Sequence, residues 1–265
     1  MQYDAMLSQE TLDLLSNMYN DRTVFLVGCM ALGLGDKSCY YDIAVYPGKG
    51  IVKMILNFKE NVIVIPINSH REFLKKNTVL IHASSFDYQY VVEHDPIKYY
   101  RKKALDALKK AMENYLLSKN GGNAFLKASI MNVVDALLLI NKTEPAPSHI
   151  FKQISELNNP ELSFAIEVAK LDENLGSLLK VRANLVLKEL GPADSTVFSE
   201  KIDHFMAENR QVEASAYLYH KLSQFPNDKL TMLNQRMKLG LSLEKDSKDV
   251  LSIIKKASDK LSMLI

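Results

Sequence analysis

The sequence changes character at Pro96, and this change constrains the fold more than any other feature of the chain. Before it, short apolar runs alternate with turns rich in glycine and asparagine, which is typical of β-strands. After it, segments with apolar residues at helical spacing follow one another, separated by proline and glycine. Helices that outnumber strands and gather at one end predict an α+β protein. We expect an N-terminal mixed sheet with flanking helices over residues 1–97 and an all-helical domain over residues 98–265.

The first third of the sequence predicts one helix followed by strands. Apolar residues recur at helical spacing between Ser8 and Tyr19, and serine is a residue type that caps helix N-termini. The runs Tyr41–Tyr46, Ile51–Phe58 and Val62–Ile67 are separated by turn residues, so we expect them to form an antiparallel meander. The other predicted elements are strands at Thr23–Val27, Thr78–Ala83 and Tyr88–Glu93 and a short helix after Ser69.

The sequence beyond Pro96 predicts helices throughout. On the first of them, helical spacing gives a core-facing stripe that includes Leu105, Leu108 and Tyr115. The predicted helices are Ile97–Leu117, Ala124–Ile140, His149–Leu157, Glu161–Leu171, Leu175–Leu190, Thr196–Asn209, Val212–Phe225, Lys229–Leu243 and Ser247–Leu264.

Charge and cysteine content exclude several classes of protein. With 33 basic and 31 acidic side chains, the formal net charge is only +2, so no overall field draws the chain to nucleic acid or to an anionic membrane; a local nucleic-acid contact stays open. Cys29 and Cys39 are too few for a disulfide framework, and no hydrophobic signal segment begins the sequence, which predicts a cytoplasmic protein. No apolar run approaches the roughly 20 residues that span a bilayer, so we expect no membrane partner.

The stretch VGCMALGLGDKSCYYDIAVY, residues 27–46, carries the features that bear on function. An apolar run meets a loop with three glycines, and the chain then returns to an extended run that contains a single acid, Asp42. A P-loop is excluded, because Leu34 stands where the phosphate-binding lysine must follow the second glycine, Gly33.

These residues resemble the nucleotidyltransferase superfamily, whose catalytic domain has the polymerase beta-like minimal nucleotidyltransferase fold. In that family a strand ends in Gly-Ser, a short helix with another glycine follows, and the next strand carries Asp-x-Asp. Gly28 and Cys29 resemble the Gly-Ser pair, Gly33 falls in the short helix, and Asp42 resembles the second aspartate. The resemblance implies a cleft at Gly28 and Asp42 that binds a nucleoside triphosphate with Mg²⁺, because two carboxylates on one strand face hold the metal ions.

The Asp-x-Asp motif is degenerate in this chain. Tyr40 stands where the first aspartate is expected, and a shifted register, with Asp42 first, leaves Ala44 in the second place. A neutral phenol cannot replace a carboxylate between two hard cations. Cys29 also replaces the serine and is a poorer hydrogen-bond donor. The resemblance therefore implies nucleotide binding with weak or lost transfer.

The resemblance also implies further site residues. The family places a third acid on a later strand, and Glu93 and Asp95 are the two alternatives for that position. With Asp42 they are the expected catalytic acids, and Asp42 is the expected metal ligand.

A second match lies in the helical part. The stretch 137–147, an apolar run that ends at asparagine and a proline-containing turn, is similar to a stretch in the helical domains of some members. There a lysine near the start of the next helix lies by the phosphates. His149 and Lys152 are the residues at that place, and Lys152 is the expected nucleotide contact.

Two functions follow from these expectations. In the first, the chain is a nucleotidyltransferase that acts on an unknown acceptor, either a small molecule, RNA or protein. In the second, the fold serves as a nucleotide-binding or protein-interaction scaffold without catalysis, including a homodimer through the helices. Tyr40 is the residue that separates them, because it decides whether a metal-binding pair exists.

Overall fold

A computed structural model describes residues 7–48, 53–55, 60–67, 78–83, 96–169, 171, 176–237 and 244–263. The chain divides into two compact units, residues 1–96 with 192–197 and residues 97–191 with 198–265. The described part of the first unit contains a mixed sheet with short helices, and the described part of the second is helical. The α+β class predicted from the sequence is therefore confirmed.

Helix α1 (Gln9–Met18) begins at the serine that the sequence predicts as its cap. The Ser8 hydroxyl accepts a hydrogen bond from the Thr11 N–H at 3.4 Å. The carboxylate of Glu60 supplements this cap, because it accepts hydrogen bonds from the Ser8 N–H at 2.9 Å and from the Thr11 hydroxyl. Leu15 is fully buried against the sheet, whereas Met18, part of the same apolar spacing, is exposed.

The sheet has the order β3–β4–β2–β1–β5. The strands are β1 (Thr23–Val27), β2 (Tyr41–Tyr46), β3 (Lys53–Ile55), β4 (Val62–Pro66) and β5 (Val79–His82). Strand β2 pairs antiparallel with β1 and parallel with β4, while β3 pairs antiparallel with β4. The predicted meander is therefore wrong, because β4 lies between β2 and β3. The predicted strand Tyr88–Glu93 and the helix after Ser69 lie outside the described residues.

The chain that leaves β2 explains this pairing. The Gly48 N–H donates to the Ile67 carbonyl at 2.7 Å, and the Ile67 N–H donates to the Val45 carbonyl at 3.0 Å. These bonds continue the parallel pairing past the end of β2, so the chain does not turn back as a hairpin. Only glycine fits at position 48, since a Cβ atom there would lie 2.6 Å from the Val45 oxygen.

Alternating side chains of β1 and β2 bury both faces of the sheet. One face includes Val24, Leu26, Ile43 and Val45 and packs on Leu15 of α1. The other face includes Phe25, Ala44 and Ile67. Asp42 alternates onto the second face, one position beyond the buried stretch of β2, and is half-buried.

Helices dominate the rest of the described chain, and a 3₁₀ turn lies at Pro147–His149. They are α3 (Pro96–Gly121), α4 (Asn123–Ile140), α5 (Ile150–Leu157), α6 (Pro160–Ala169), α7 (Ser177–Leu187), α8 (Pro192–Ala207), α9 (Gln211–Leu222), α10 (Asn227–Met237) and α11 (Glu244–Ser262). Helix α4 is central and contacts α6, α9, α10 and α11. It is long and apolar enough to cross a membrane, but most of it is buried inside the protein.

The apolar stripe predicted for helix α3 faces the core at Leu108 and Tyr115, which are each 7% exposed. Its buried line runs through Ala104, Leu108 and Ala111, whereas Leu105 is 44% exposed, so the predicted stripe is wrong at Leu105. Two of the three residues in the buried line are small alanines, and the Ser129 hydroxyl of α4 donates to the Ala111 carbonyl at 2.6 Å. A stripe weighted towards large side chains misses this contact.

Candidate functional site

The junction of β1 and α2 (Gly28–Ala31) brings a glycine against the acid of β2. Gly28 has a φ of +73°, which favours glycine. Val27 and Asp42 are paired across the antiparallel ladder of β1 and β2, and this register places the Asp42 side chain beside Gly28. A Cβ atom at position 28 would overlap Oδ2 of Asp42 and lie 3.2 Å from its Cγ. We call this place the Gly28–Asp42 corner.

The predicted residues Cys29 and Gly33 belong to the same turn. Cys29 is the second residue of α2 and is half-buried, and its carbonyl accepts the Leu34 N–H at 3.0 Å. Gly33 has a φ of +70° and ends α2, with its N–H donating to the Met30 carbonyl at 3.2 Å. Among the described residues, and apart from its two neighbours in the chain, no heavy atom lies within 4 Å of the place where a Gly33 Cβ would stand, so its backbone conformation accounts for the glycine.

Tyr40, at the place of the missing aspartate, is a core residue. It is 6% exposed and directly precedes β2. Among the described strands, Asp42 is the only residue with a carboxylate. The corner therefore holds one acid from β2, and the structure does not bring a second acid from that strand beside it.

The hydroxyl of Tyr41 and the carboxylate of Glu60 lie near the start of β2. Burial raises the pKa of Tyr41, and the nearby charges of Glu60 and Cys39 raise it further. Burial also pushes the pKa of Glu60 upwards, but the hydrogen bonds from Thr11 and Ser8 outweigh this effect, so the pKa of Glu60 is lowered. At neutral pH the Tyr41 phenol is thus neutral and Glu60 is an anion that caps α1.

The other predicted site residues lie outside the described residues or in the helical unit. Glu93 and Asp95 lie outside the described residues. Lys152 is an exposed residue of α5 in the helical unit. His149 is buried at the end of the 3₁₀ turn, and its N–H donates to the Ala146 carbonyl at 2.7 Å. The turn before α5 is also fixed by Gln153, whose amide bonds the Ala146 N–H and the Glu144 carbonyl.

Asp36 lies in the loop before β2 and bonds within its own turn. The carboxylate of Asp36 accepts the N–H of Ser38 at 2.9 Å and its hydroxyl at 2.6 Å, and the Cys39 thiol donates to it at 3.4 Å. Asp36 therefore closes the turn that leads to β2. The Asp-x-Ser spacing is a signal for such a turn and could have identified it.

No protein-family model, curated protein or solved structure matches the chain.

Proposed function

We propose that the chain binds a nucleoside triphosphate with Mg²⁺ at the Gly28–Asp42 corner and that nucleotidyl transfer to an acceptor is weak or lost. The observation that carries this proposal is the contact between a positive-φ glycine at the end of β1 and the one carboxylate of β2. A glycine turn that lets phosphates approach the backbone beside a metal-binding acid is the arrangement that the resemblance to nucleotidyltransferases implies.

The residues at the corner fit one Mg²⁺ ion that arrives with the nucleotide. Mg²⁺ is commonly held by one or two carboxylates together with phosphate oxygens, and Asp42 supplies one carboxylate. In nucleotidyl transfer the bound metal ions stabilise the attacking and leaving oxygens. A second ion has less support, because Tyr40 is a buried phenol where the family has an acid.

The alternative is a nucleotide-binding or protein-interaction scaffold without catalysis. The burial of Tyr40 favours it, because a core side chain in place of the first aspartate indicates that the position serves packing. Both alternatives place the protein in the cytoplasm, and the support for that location is the low cysteine content.

Thermal unfolding with each of the four common nucleoside triphosphates, with and without Mg²⁺, tests binding. A ligand that binds only the folded state stabilises it by about 2.7 kcal/mol at a hundredfold excess over Kd. We expect at least one triphosphate to raise the Tm more in the presence of Mg²⁺ than in its absence. If none of the four triphosphates raises the Tm, the proposal is overturned. The remaining alternative is then a scaffold that binds no nucleotide.

Incubation with labelled triphosphates then separates the two alternatives. We expect little or no label to enter the protein, added RNA or a small acceptor. Rapid Mg²⁺-dependent incorporation by the unmodified protein would show that one acid from β2 suffices for catalysis.

A further inference from the structure

The chain contains two cysteines, and the structure brings them together at the Gly28–Asp42 corner. The Sγ atoms of Cys29 and Cys39 lie within 4.8 Å of each other. Cys29 is half-buried in α2 and Cys39 is buried directly before Tyr40 and β2. They stand at the two ends of one loop, so a bond between them would be made within the first unit.

The loop between the cysteines is folded so that its ends stay close. The Leu34 N–H donates to the Cys29 carbonyl at 3.0 Å, which holds the first half of the loop against α2. The Cys39 N–H donates to the Asp36 carbonyl at 3.0 Å, and the Asp36 N–H donates to the Cys39 sulfur at 3.3 Å. Cys39 is therefore fixed by its own turn, whereas Cys29 lies on a short helix and is more exposed.

We propose that Cys29 and Cys39 form a reversible dithiol–disulfide pair that controls the Gly28–Asp42 corner. The oxidant is a small disulfide of the glutathione class. The Cys29 thiolate attacks it, so that one glutathione thiolate leaves and a mixed disulfide forms. The Cys39 thiolate then attacks the Cys29 sulfur and releases the second glutathione. Two electrons pass from the two cysteines to the oxidant, and the two thiol protons pass through solvent to the glutathione thiolates.

Formation of the disulfide requires a movement that displaces part of the candidate site. A disulfide needs its sulfurs about 2.0 Å apart, so the sulfurs must approach each other from their present separation. Because Asp36 holds Cys39 in place, we expect α2, which carries Cys29, to move. Gly28 directly precedes Cys29, so it moves with α2. The oxidised protein should hold Gly28 differently against Asp42. This control of binding rests on the proposed nucleotide function, whereas formation of the disulfide does not.

Redox titration of the full chain tests formation of the bond. The protein is equilibrated with mixtures of reduced and oxidised glutathione, quenched with acid and alkylated, and its intact mass is measured. We expect two main species, a monomer with both thiols alkylated and a monomer with neither, interconverted by the glutathione ratio. Glutathione adducts or intermolecular dimers as the main oxidised product, or thiols that stay reduced at every ratio, would overturn the proposal.

The variant Cys39→Ala provides the matched control, because it keeps the more exposed thiol and removes its partner. We expect it to accumulate a glutathione adduct at Cys29 under conditions that give the unmodified chain its internal bond. The mass measurement on the unmodified chain identifies the internal disulfide without any variant. It therefore tests the proposal even if Cys39→Ala impairs folding.

Nucleotide binding by the reduced and oxidised protein tests the control. We expect the Kd for the Mg²⁺–triphosphate complex to change at least about fivefold on oxidation and to return on reduction, with no such change in Cys39→Ala. An unchanged Kd with the disulfide formed would overturn control of the corner. Absence of binding in both redox states would overturn the proposed function, while the mass measurement would still decide whether the pair exists.

Discussion

The carboxylate of Asp42 occupies the space where a side chain on Gly28 would begin. The register of β1 and β2 sets this relationship, because Val27 and Asp42 are opposite each other in the ladder. The corner therefore depends on the absence of a side chain at position 28 as much as on the acid at position 42.

A double-mutant cycle measures this contact. Alanine at a left-handed position costs about 1–2 kcal/mol, and we expect that cost at Gly33→Ala, where the added Cβ meets no neighbour. Gly28→Ala should cost more, because the Asp42 side chain must also turn away. In an Asp42→Ala background the excess should disappear. Urea denaturation gives these free energies, and equal costs of Gly28→Ala in both backgrounds would show that the two residues are not coupled.

The cap of α1 should make stability depend on pH. The pKa of Glu60 is lowered in the folded state, so its contribution is present above the unfolded pKa of about 4.3 and is lost as the pH falls through the lower folded pKa. We expect Glu60→Gln to cost about 1 kcal/mol at pH 7 and almost nothing at pH values below that of the folded carboxyl.

The control for this experiment is Glu10→Gln, which removes an exposed acid from the first turn of the same helix. Denaturation of both variants across the acidic range is the measurement. A loss at Glu60→Gln that is independent of pH, or equal to that of Glu10→Gln, would contradict the role of the Glu60 carboxylate as a cap.

The secondary structure was largely predictable because its signals are local. Ser8 marks the start of α1, and the apolar runs around Val24 and Ile43 mark strands. Strand pairing was less predictable: the hydrogen bonds of Gly48 and Ile67 join segments far apart in the chain, and a proline-glycine turn after β2 is equally compatible with a hairpin. The cap by Glu60 joins residues 52 positions apart, and no local pattern indicates it.

The part of the candidate site that lies on the neighbouring strands β1 and β2 could be predicted from the sequence. The motif in residues 27–46 predicted Gly28 and Asp42 in one site, and the antiparallel register of β1 and β2 brings them into contact. The proximity of Cys29 and Cys39 was not predicted, because it depends on how the loop folds around Asp36.

The departure of Leu105 from the predicted stripe of α3 can be tested with two leucines of the same helix. Leu108 is 7% exposed and Leu105 is 44% exposed. Leu108→Ala should cost about 2–4 kcal/mol, because it removes a buried side chain and leaves a cavity, whereas Leu105→Ala should cost less than about 1 kcal/mol. The comparison needs only chemical denaturation of the two variants. A larger cost at Leu105 would mean that Leu105 faces the core, as the sequence predicted.

The helical unit contains a buried pair that should contribute to its stability. His220 of α9 is almost fully buried, and its Nε2 lies 3.0 Å from both carboxylate oxygens of Asp135 in α4. Asp135→Ala leaves a buried ring nitrogen without this acceptor and should cost about 1–3 kcal/mol. Asp135→Asn keeps one acceptor oxygen and should cost less. The control is Asp203→Ala, which changes an exposed residue. If Asp135→Ala costs no more than Asp203→Ala, the pair does not stabilise the helical unit.

Calorimetric titration of the Mg²⁺–triphosphate complex into the reduced protein and its Asp42→Asn variant tests the central claim most directly. The exposed Asp13→Asn is the matched control in the same unit. We predict that Asp42→Asn weakens binding at least about tenfold in the presence of Mg²⁺, a loss of about 1.4 kcal/mol, and leaves Mg²⁺-free binding and the Tm nearly unchanged. Equal affinity of Asp42→Asn and the unmodified protein would contradict a nucleotide site at the Gly28–Asp42 corner.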